Sequence, residues 1–376
     1  MHEKYTSIGL MSGTSGDGVD ASMVYSDGFE ELELIYDKYF EYDRDIFKSF
    51  HLLKDKINGE DDLKKTNVEL RNLERKITLF HAKILKEFDL KNKNILIGFH
   101  GQTIYHNPNK KISMQLGDGH LLNQLIEKKV IYNFRKNDIL NGGEGAPLTP
   151  IFHKLLALKY KLKLPSCIIN IGGISNCTVI KKMEKIDYAN YLFSKDIGPG
   201  NCLIDSWVRK NSKEKYDEDG KLAQFGEINK IILEQAQELY INSDKLKKRS
   251  FDVNDFDVSF ARGLSLEDGA ATLTEFTSQI LLEKLNDLLS DLKVNIEEFV
   301  LCGGGRKNKL LVKKIKENLP LNSKLKMIDD YNIKGDFVES QAFAYLAIRS
   351  FLKLPLTFPS TTGCRNDCLG GEIIDN

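Results

Sequence analysis

The sequence has no excess of either charge. Across 376 residues, 54 Lys and Arg stand against 54 Asp and Glu. A protein whose main task is coating a polyanion needs a basic surplus, so this balance argues against a nucleic-acid partner. Long apolar runs are also missing. NILIGF, residues 94–99, is typical and stops at His100. Nothing approaches the roughly 20 residues that span a bilayer, and no membrane partner is expected. Cysteine is sparse: Cys167, Cys177, Cys202, Cys302, Cys364 and Cys368 are too scattered for a disulfide framework. The C-x3-C pair at 364 and 368 has no second pair or His couple to complete a metal site, so free structural thiols are expected. The opening MHEKYTSIGL is charged and lacks the apolar region of a secretory signal, which points to a cytoplasmic protein. No low-complexity tract or short repeat is present.

What is present is an ordinary globular mixture, 41% hydrophobic and 29% charged, long enough for two or three domains. Alternating apolar residues in YTSIGLMSG and VDASMVYSD predict a strand, a turn and a returning strand, and ELELIYDKYFEY a third strand. Three- and four-residue spacing predicts a helical stretch over about 45–92. NILIGFHG and VIYNF read as strands on either side of a hairpin-like stretch and a helix, HLLNQLIEKK. The Gly- and Pro-rich segment 141–150 reads as a crossover between lobes. Beyond it lie a helix at IFHKLLALKYKLK and a second β-rich block, SCIINIGG, SNCTVI and NYLFSKDIGPG, which repeats the opening pattern. The remainder reads as mainly helical, with one short strand at FVLCGGG and a turn-rich tail.

Four Gly-rich turns stand at strand ends. In Met11–Asp20 (MSGTSGDGVD), small residues admit close backbone approach to an anion, and Ser12, Thr14 and Ser15 add hydroxyl donors. Asp17 and Asp20 offer hard oxygen ligands suited to Mg²⁺. The spacing and Lys of a Walker A loop are absent, and the strand that follows excludes a dinucleotide fingerprint. A plain hairpin turn is the alternative. NIGGISN is the second turn. DIGPGN, the third, precedes a helix to which its N–H groups would bring an anion. Asp196 ends the strand before it, placed either to face a cleft or to cap the turn. CGGGRKN is the fourth, suited to a flat ring or to a plain strand-to-helix loop. Four such turns in one chain are together far more telling than any one. Three polar groups add to them. His100, Gln102 and Thr103 close a strand and are able to read sugar hydroxyls. Arg135 suits a carboxylate by bidentate pairing, with an internal salt bridge to Asp138 or another acid as the alternative. Glu339 opens a helix, as a site residue or as a capping or surface one.

These segments resemble the anhydro-N-acetylmuramic acid kinase family. The matching strings are IGLMSGTSGDGVDASMV, HGQTIYHNP, FRKNDILNGGEGAPLTPIFH, NIGGISN, DIGPGNCLIDSW, YDEDG, LCGGGRKN and GDFVESQAFAYLA, in order from residue 8 to about 371. The resemblance implies a two-lobed α/β fold of the actin-like ATPase (ribonuclease H-like) type, with mixed sheets covered by helices and ATP in an interlobe cleft. The lobes would be 1–135 and 136–355, with the tail from about 356 to 376 packed back on the first. The implied reaction cleaves the 1,6-anhydro bond of a small-molecule sugar, 1,6-anhydro-N-acetylmuramate, and phosphorylates O6, in cell-wall recycling. Gly13, Thr14, Ser15, Gly16, Asp17, Gly18, Val19 and Asp20 would form the first phosphate loop. Gly172 and Gly173 would form the second, and Gly303, Gly304 and Gly305 the nucleoside loop. Asp196 would be the catalytic base, and His100, Thr103, Arg135 and Glu339 would surround the sugar. A homodimer stays open. Two departures stand out. Gly16 replaces a bulky family residue, which would loosen the first loop, and Lys248-Arg249-Ser250 replaces a Pro-Lys-Ser segment.

Overall fold

In the computed structural model, residues 2–91, 94–182, 191–241 and 250–375 are described. Strand β1 (Tyr5–Ser12) turns through the first Gly-rich loop into β2 (Gly18–Ser26), which pairs with β3 (Leu32–Glu41), all antiparallel. β4 (Leu96–Asn107) then lies parallel to β1, and β6 (Lys129–Tyr132) parallel to β4. β5 (Ile112–Leu116) folds back on the far end of β4, and β12 (Glu372–Ile374) closes the edge against β6. A second sheet repeats the plan. β7 (Ser166–Ile171), β8 (Ile174–Ile180) and β9 (Leu192–Pro199) are antiparallel, and β10 (Glu298–Cys302) and β11 (Lys324–Met327) continue parallel from β7. Each sheet therefore places three antiparallel strands beside two parallel ones, with the first strand of each set at the junction. This is the mixed-sheet α/β arrangement that the resemblance implies, present in each unit.

The chain divides into two units, Met1–Lys161 with Asp336–Asn376, and Leu162–Gly335. These boundaries differ from the expected 135/136 and 355/356. The helix Val338–Phe351 packs on β1, β2 and β4, and the helix Pro150–Lys159 packs against it, so both belong to the first unit. Glycine makes that packing close. A Cβ on Gly9 would lie 2.0 Å from the Ser340 carbonyl oxygen, and one on Gly98 2.3 Å from that of Phe343. Side chains alternate across a strand, so the neighbours Ile8, Leu10, Ile97 and Phe99 face the other way. There they form a core with Phe50, Leu70, Leu73, Ile77 and Leu122.

The stretch read as helical over about 45–92 is three helices, Arg44–Lys56, Glu60–Lys65 and Asn67–Leu85, interrupted where Ile57 and Gly59 turn extended. In the second unit, Ile169, Ile171, Cys177, Val179, Phe299 and Leu301 pack against Leu281 and Leu285 of the long helix Leu266–Asp291. All six cysteines are free and buried, as expected. Among the described residues, no helix is long and apolar enough to cross a membrane.

Candidate active site

In the first unit, the turn between β1 and β2 is fixed by its own contacts. Gly16 N–H donates to Gly13 O at 3.1 Å, and the Ser15 hydroxyl donates to Asp17 Oδ1 at 2.6 Å. Gly16 has φ +64°, and a Cβ there would lie 2.2 Å from the Phe50 ring. The expected loosening is therefore reversed: Phe50 covers Gly16, and only glycine fits this conformation. Ser12, read as an anion donor, is buried and bonded to the Tyr42 hydroxyl at 2.9 Å. Thr14 is exposed, Val19 is core, and Asp20 is half-buried on β2 opposite Tyr39. Gln102 ties this loop to β4, its Nε2 donating to Gly13 O at 2.8 Å.

His100, two residues earlier on β4, is buried, and its Nδ1 donates to Gly101 O at 2.8 Å. Nε2 is then the acceptor, and it takes Arg135 Nη2–H at 3.0 Å and Nε–H at 3.3 Å. Burial, and then the Arg135 charge, push its pKa well below the ordinary histidine value, so the ring is neutral. Arg135 Nη1 donates to Gly145 O at 2.7 Å. Asp138 works on the same segment from the other side. Its Oδ2 accepts Gly145 N–H at 2.6 Å, and its Oδ1 accepts the hydroxyls of Thr357 at 2.5 Å and Thr362 at 2.6 Å. Glu339, half-buried, shares a helix face with Phe343 four residues on. The Phe343 ring lies 4.5 Å from that of His100. Thr103 Oγ1 accepts from Gln115 at 3.3 Å.

Neutral buried histidines have a measurable consequence. Burial lowers His81 to about 4 and His153 to about 3, and His100 also lies well below 6.5. Below pH 6.5 the unfolded chain binds these protons and the folded chain does not. Stability is thus lost as pH falls, by about 1.4 kcal/mol per pH unit for each such histidine. The melting temperature is expected to drop steadily from pH 7 to pH 5; a flat profile would contradict these burials.

In the second unit, three Gly-rich turns meet at the ends of β7, β9 and β10. Gly200 N–H donates to Gly173 O at 2.9 Å, and Asn201 N–H to Gly172 O at 2.8 Å. The N–H groups of Gly200 and Asn201, expected to face an anion, are thus spent on joining this turn to NIGG. Gly303, at φ +80°, sits where a Cβ would be 2.4 Å from Asn170 Oδ1. Arg306 holds that turn, donating to Gly303 O at 2.9 Å and gripping both oxygens of Asp329 at 2.6 and 3.0 Å. Pairing sets Cys302, Asn170, Asn176 and Asp196 in one row across β10, β7, β8 and β9. Asp196 is 5% exposed, and its Oδ2 accepts Phe251 N–H at 2.8 Å.

The family model for anhydro-N-acetylmuramic acid kinase matches residues 5–376. The chain belongs to this kinase family. It is 50% identical to the anhydro-N-acetylmuramic acid kinase of Pelagibacter ubique, with all of both chains covered. It is 34% identical to that of Agrobacterium fabrum, again at full coverage of both. A solved structure, component A of the (R)-2-hydroxyglutaryl-CoA dehydratase of Acidaminococcus fermentans, aligns over 92% of this chain and 98% of its own. Its identity is 11% and its TM-score 0.46.

Seen against the kinase family's motifs, the first unit gathers His100 and Arg135 by direct contact and sets Glu339 on a shared helix face. The second gathers Gly172, Gly173 and Gly303–Gly305 around the strand row that ends in Asp196. Lys248 and Arg249 lie outside the described residues; Ser250 is buried next to the Phe251 amide that Asp196 accepts. Sequence reading missed the amide pair Asn170 and Asn176, whose only signal was a polar residue at each end of NIGGISN. Among the described residues, one group of three metal-type donors occurs: Asp138, Cys364 and Cys368, within 4.8 Å of one another. The Cys368 thiol donates to Asn366 O and the Cys364 thiol to Thr357 Oγ1.

Proposed function

We propose that this kinase uses ATP to open and phosphorylate 1,6-anhydro-N-acetylmuramate, giving N-acetylmuramate 6-phosphate and ADP, as a cytoplasmic step of cell-wall recycling. In the anhydro sugar, O6 is bonded to C1 and is not a free hydroxyl. It takes a phosphoryl group only if that bond breaks. Water adds to C1, the C1–O6 bond breaks, and O6 uses the released electron pair to attack the γ-phosphorus, displacing ADP. Asp196 accepts the water's proton as a positioned base. The observation that best supports this reading is the placement of Asp196: a buried carboxylate, oriented by a backbone N–H, at the end of a polar row beside the Gly-rich turns.

The turns at 13–20 and at 172–173 take the phosphates, and Gly303–Gly305 the nucleoside. Asp17 and Asp20 present only carboxylate oxygens, a hard donor set that fits Mg²⁺. When bound, that ion neutralises phosphate charge. Arg135 takes the lactyl carboxylate, and His100, Thr103 and Glu339 surround the sugar. Incubating the protein with ATP and anhydro-N-acetylmuramate tests the whole reading. Formation of sugar phosphate, absent with no sugar and different in yield with N-acetylmuramate itself, is expected. ATP hydrolysis without sugar phosphate would overturn it.

Gly172 offers a cleaner probe than Gly303. A Cβ there would have Ile174 O as its nearest neighbour at 3.4 Å, an ordinary contact. A side chain at 172 therefore obstructs a ligand more than the fold. Gly172→Val is expected to weaken ATP binding roughly tenfold or more, since charge-assisted hydrogen bonds to phosphate are lost. Sugar binding and melting temperature should stay near wild type. Unchanged nucleotide affinity by calorimetry would put the phosphates elsewhere.

A further inference from the structure

A base alone does not aim a water molecule. A water that donates one hydrogen to a carboxylate still turns about that contact, and a second contact on the water is needed to direct its lone pair. The strand row of the second unit supplies a neighbour for Asp196. Asn176 is its direct cross-strand partner, reached across a register shift at Ser175/Asn176. Directly opposed residues project from the same face, with Cβ atoms about 4.5–5.5 Å apart. The Asn176 amide oxygen is buried, and no donor reaches it among the described residues. Its neighbours on that face are engaged. Asn170 Oδ1 takes the Cys302 thiol at 3.7 Å, and the Ser194 hydroxyl donates to Cys177 O at 2.6 Å. Buried acceptors are rarely left without a donor, and each exception calls for an explanation. Among such acceptors in the described residues, this one stands beside the proposed base.

We propose that Asn176 orients the water consumed by the reaction. Its amide oxygen accepts one water hydrogen while Asp196 accepts the other, leaving an oxygen lone pair directed at C1. The new O–C1 bond forms as C1–O6 breaks, the O6 electron pair passes to the γ-phosphorus, and the proton goes to Asp196. This inference rests on Asp196 acting as the base.

The test uses the full chain, with Asn176→Ala and the isosteric Asn176→Asp measured beside Asp196→Asn. Asn176→Ala is expected to lower kcat about tenfold or more, the loss of one well-placed hydrogen bond, with KM for both substrates nearly unchanged. In water–methanol mixtures its product should contain a larger fraction of methyl glycoside than wild type, because the vacated position no longer selects for two-point contact. Asn176→Asp puts a second carboxylate beside the base, so the acid limb of its kcat–pH profile should move to higher pH. A role confined to holding the turn would change melting temperature, KM and kcat together. It would leave the methanol fraction where it was, and that result overturns the proposal. Wild-type kcat and methanol fraction in Asn176→Ala overturn it as well, even if Asp196→Asn is inactive. Full turnover in Asp196→Asn would instead remove the base on which the inference rests.

Discussion

Asp196→Asn is expected to bind ATP almost as wild type does and to lose about 10²–10⁴-fold in turnover, the usual contribution of a positioned base. Asparagine keeps the size and planar shape of the side chain, and its amide oxygen still accepts the Phe251 N–H that Oδ2 accepts now. The fold around the residue is therefore preserved. What is lost is the ability to take a proton at neutral pH. Because Asp196 is nearly buried, bulk water does not readily replace that function. The measurement is kcat at saturating substrates together with calorimetric ATP affinity. Turnover within a few-fold of wild type would rule out Asp196 as the base. Loss of nucleotide binding in parallel with turnover would assign it to the phosphate site instead.

Arg135→Ala carries the second large expectation. The lactyl group of the muramate sugar ends in a carboxylate, which anhydro-N-acetylglucosamine lacks. A guanidinium has five N–H donors in a rigid fork, and the contacts to His100 and Gly145 fix how that fork is turned. Losing a charge-assisted contact costs on the order of 1.5–3 kcal/mol, or roughly 10–150-fold in kcat/KM. The variant should lose that much on the muramate sugar and little on the lactyl-free analogue. Arg135→Lys should recover only part, because an ammonium does not reproduce two parallel hydrogen bonds. An equal loss on both sugars, with a lowered melting temperature, would make Arg135 a structural tie between β4 and the 141–150 segment.

Much of the fold was legible because it is written in local pattern. Alternation and a glycine turn mark both three-stranded openings, and the first parallel strand beside each, β4 and β10, carries a buried apolar run. β11 and β12 were missed because they are short and little buried; Lys324 and Lys326 alternate along β11 as on any polar edge. The unit boundaries were missed for a different reason. Nothing local in GDFVESQAFAYLA says that its helix returns to β1 and β4, where Gly9 and Gly98 receive it.

The site divides along the same line. His100, Arg135, Asp196 and the glycine turns stand in strings that resemble the kinase family's, and it is that resemblance, not residue type or spacing alone, that singles them out as candidates. The contacts of Asp138 with Thr357 and Thr362 join residues more than two hundred positions apart. The Asn176–Asp196 pair depends on strand register, including its shift at Ser175/Asn176. The GPGN amides looked available because a turn before a helix usually exposes them. Here the carbonyls of Gly172 and Gly173 accept those of Gly200 and Asn201, a partnership set by tertiary structure.

The most direct test of the account is to follow the oxygen atoms. In ¹⁸O-enriched water with ATP and the anhydro sugar, attack of water on C1 leaves the bridging oxygen as O6. The account predicts N-acetylmuramate 6-phosphate labelled at C1, with no ¹⁸O in the phosphate ester by mass spectrometry. Label in the ester oxygen or the phosphoryl group, or labelled inorganic phosphate formed beside intact anhydro sugar, would contradict it.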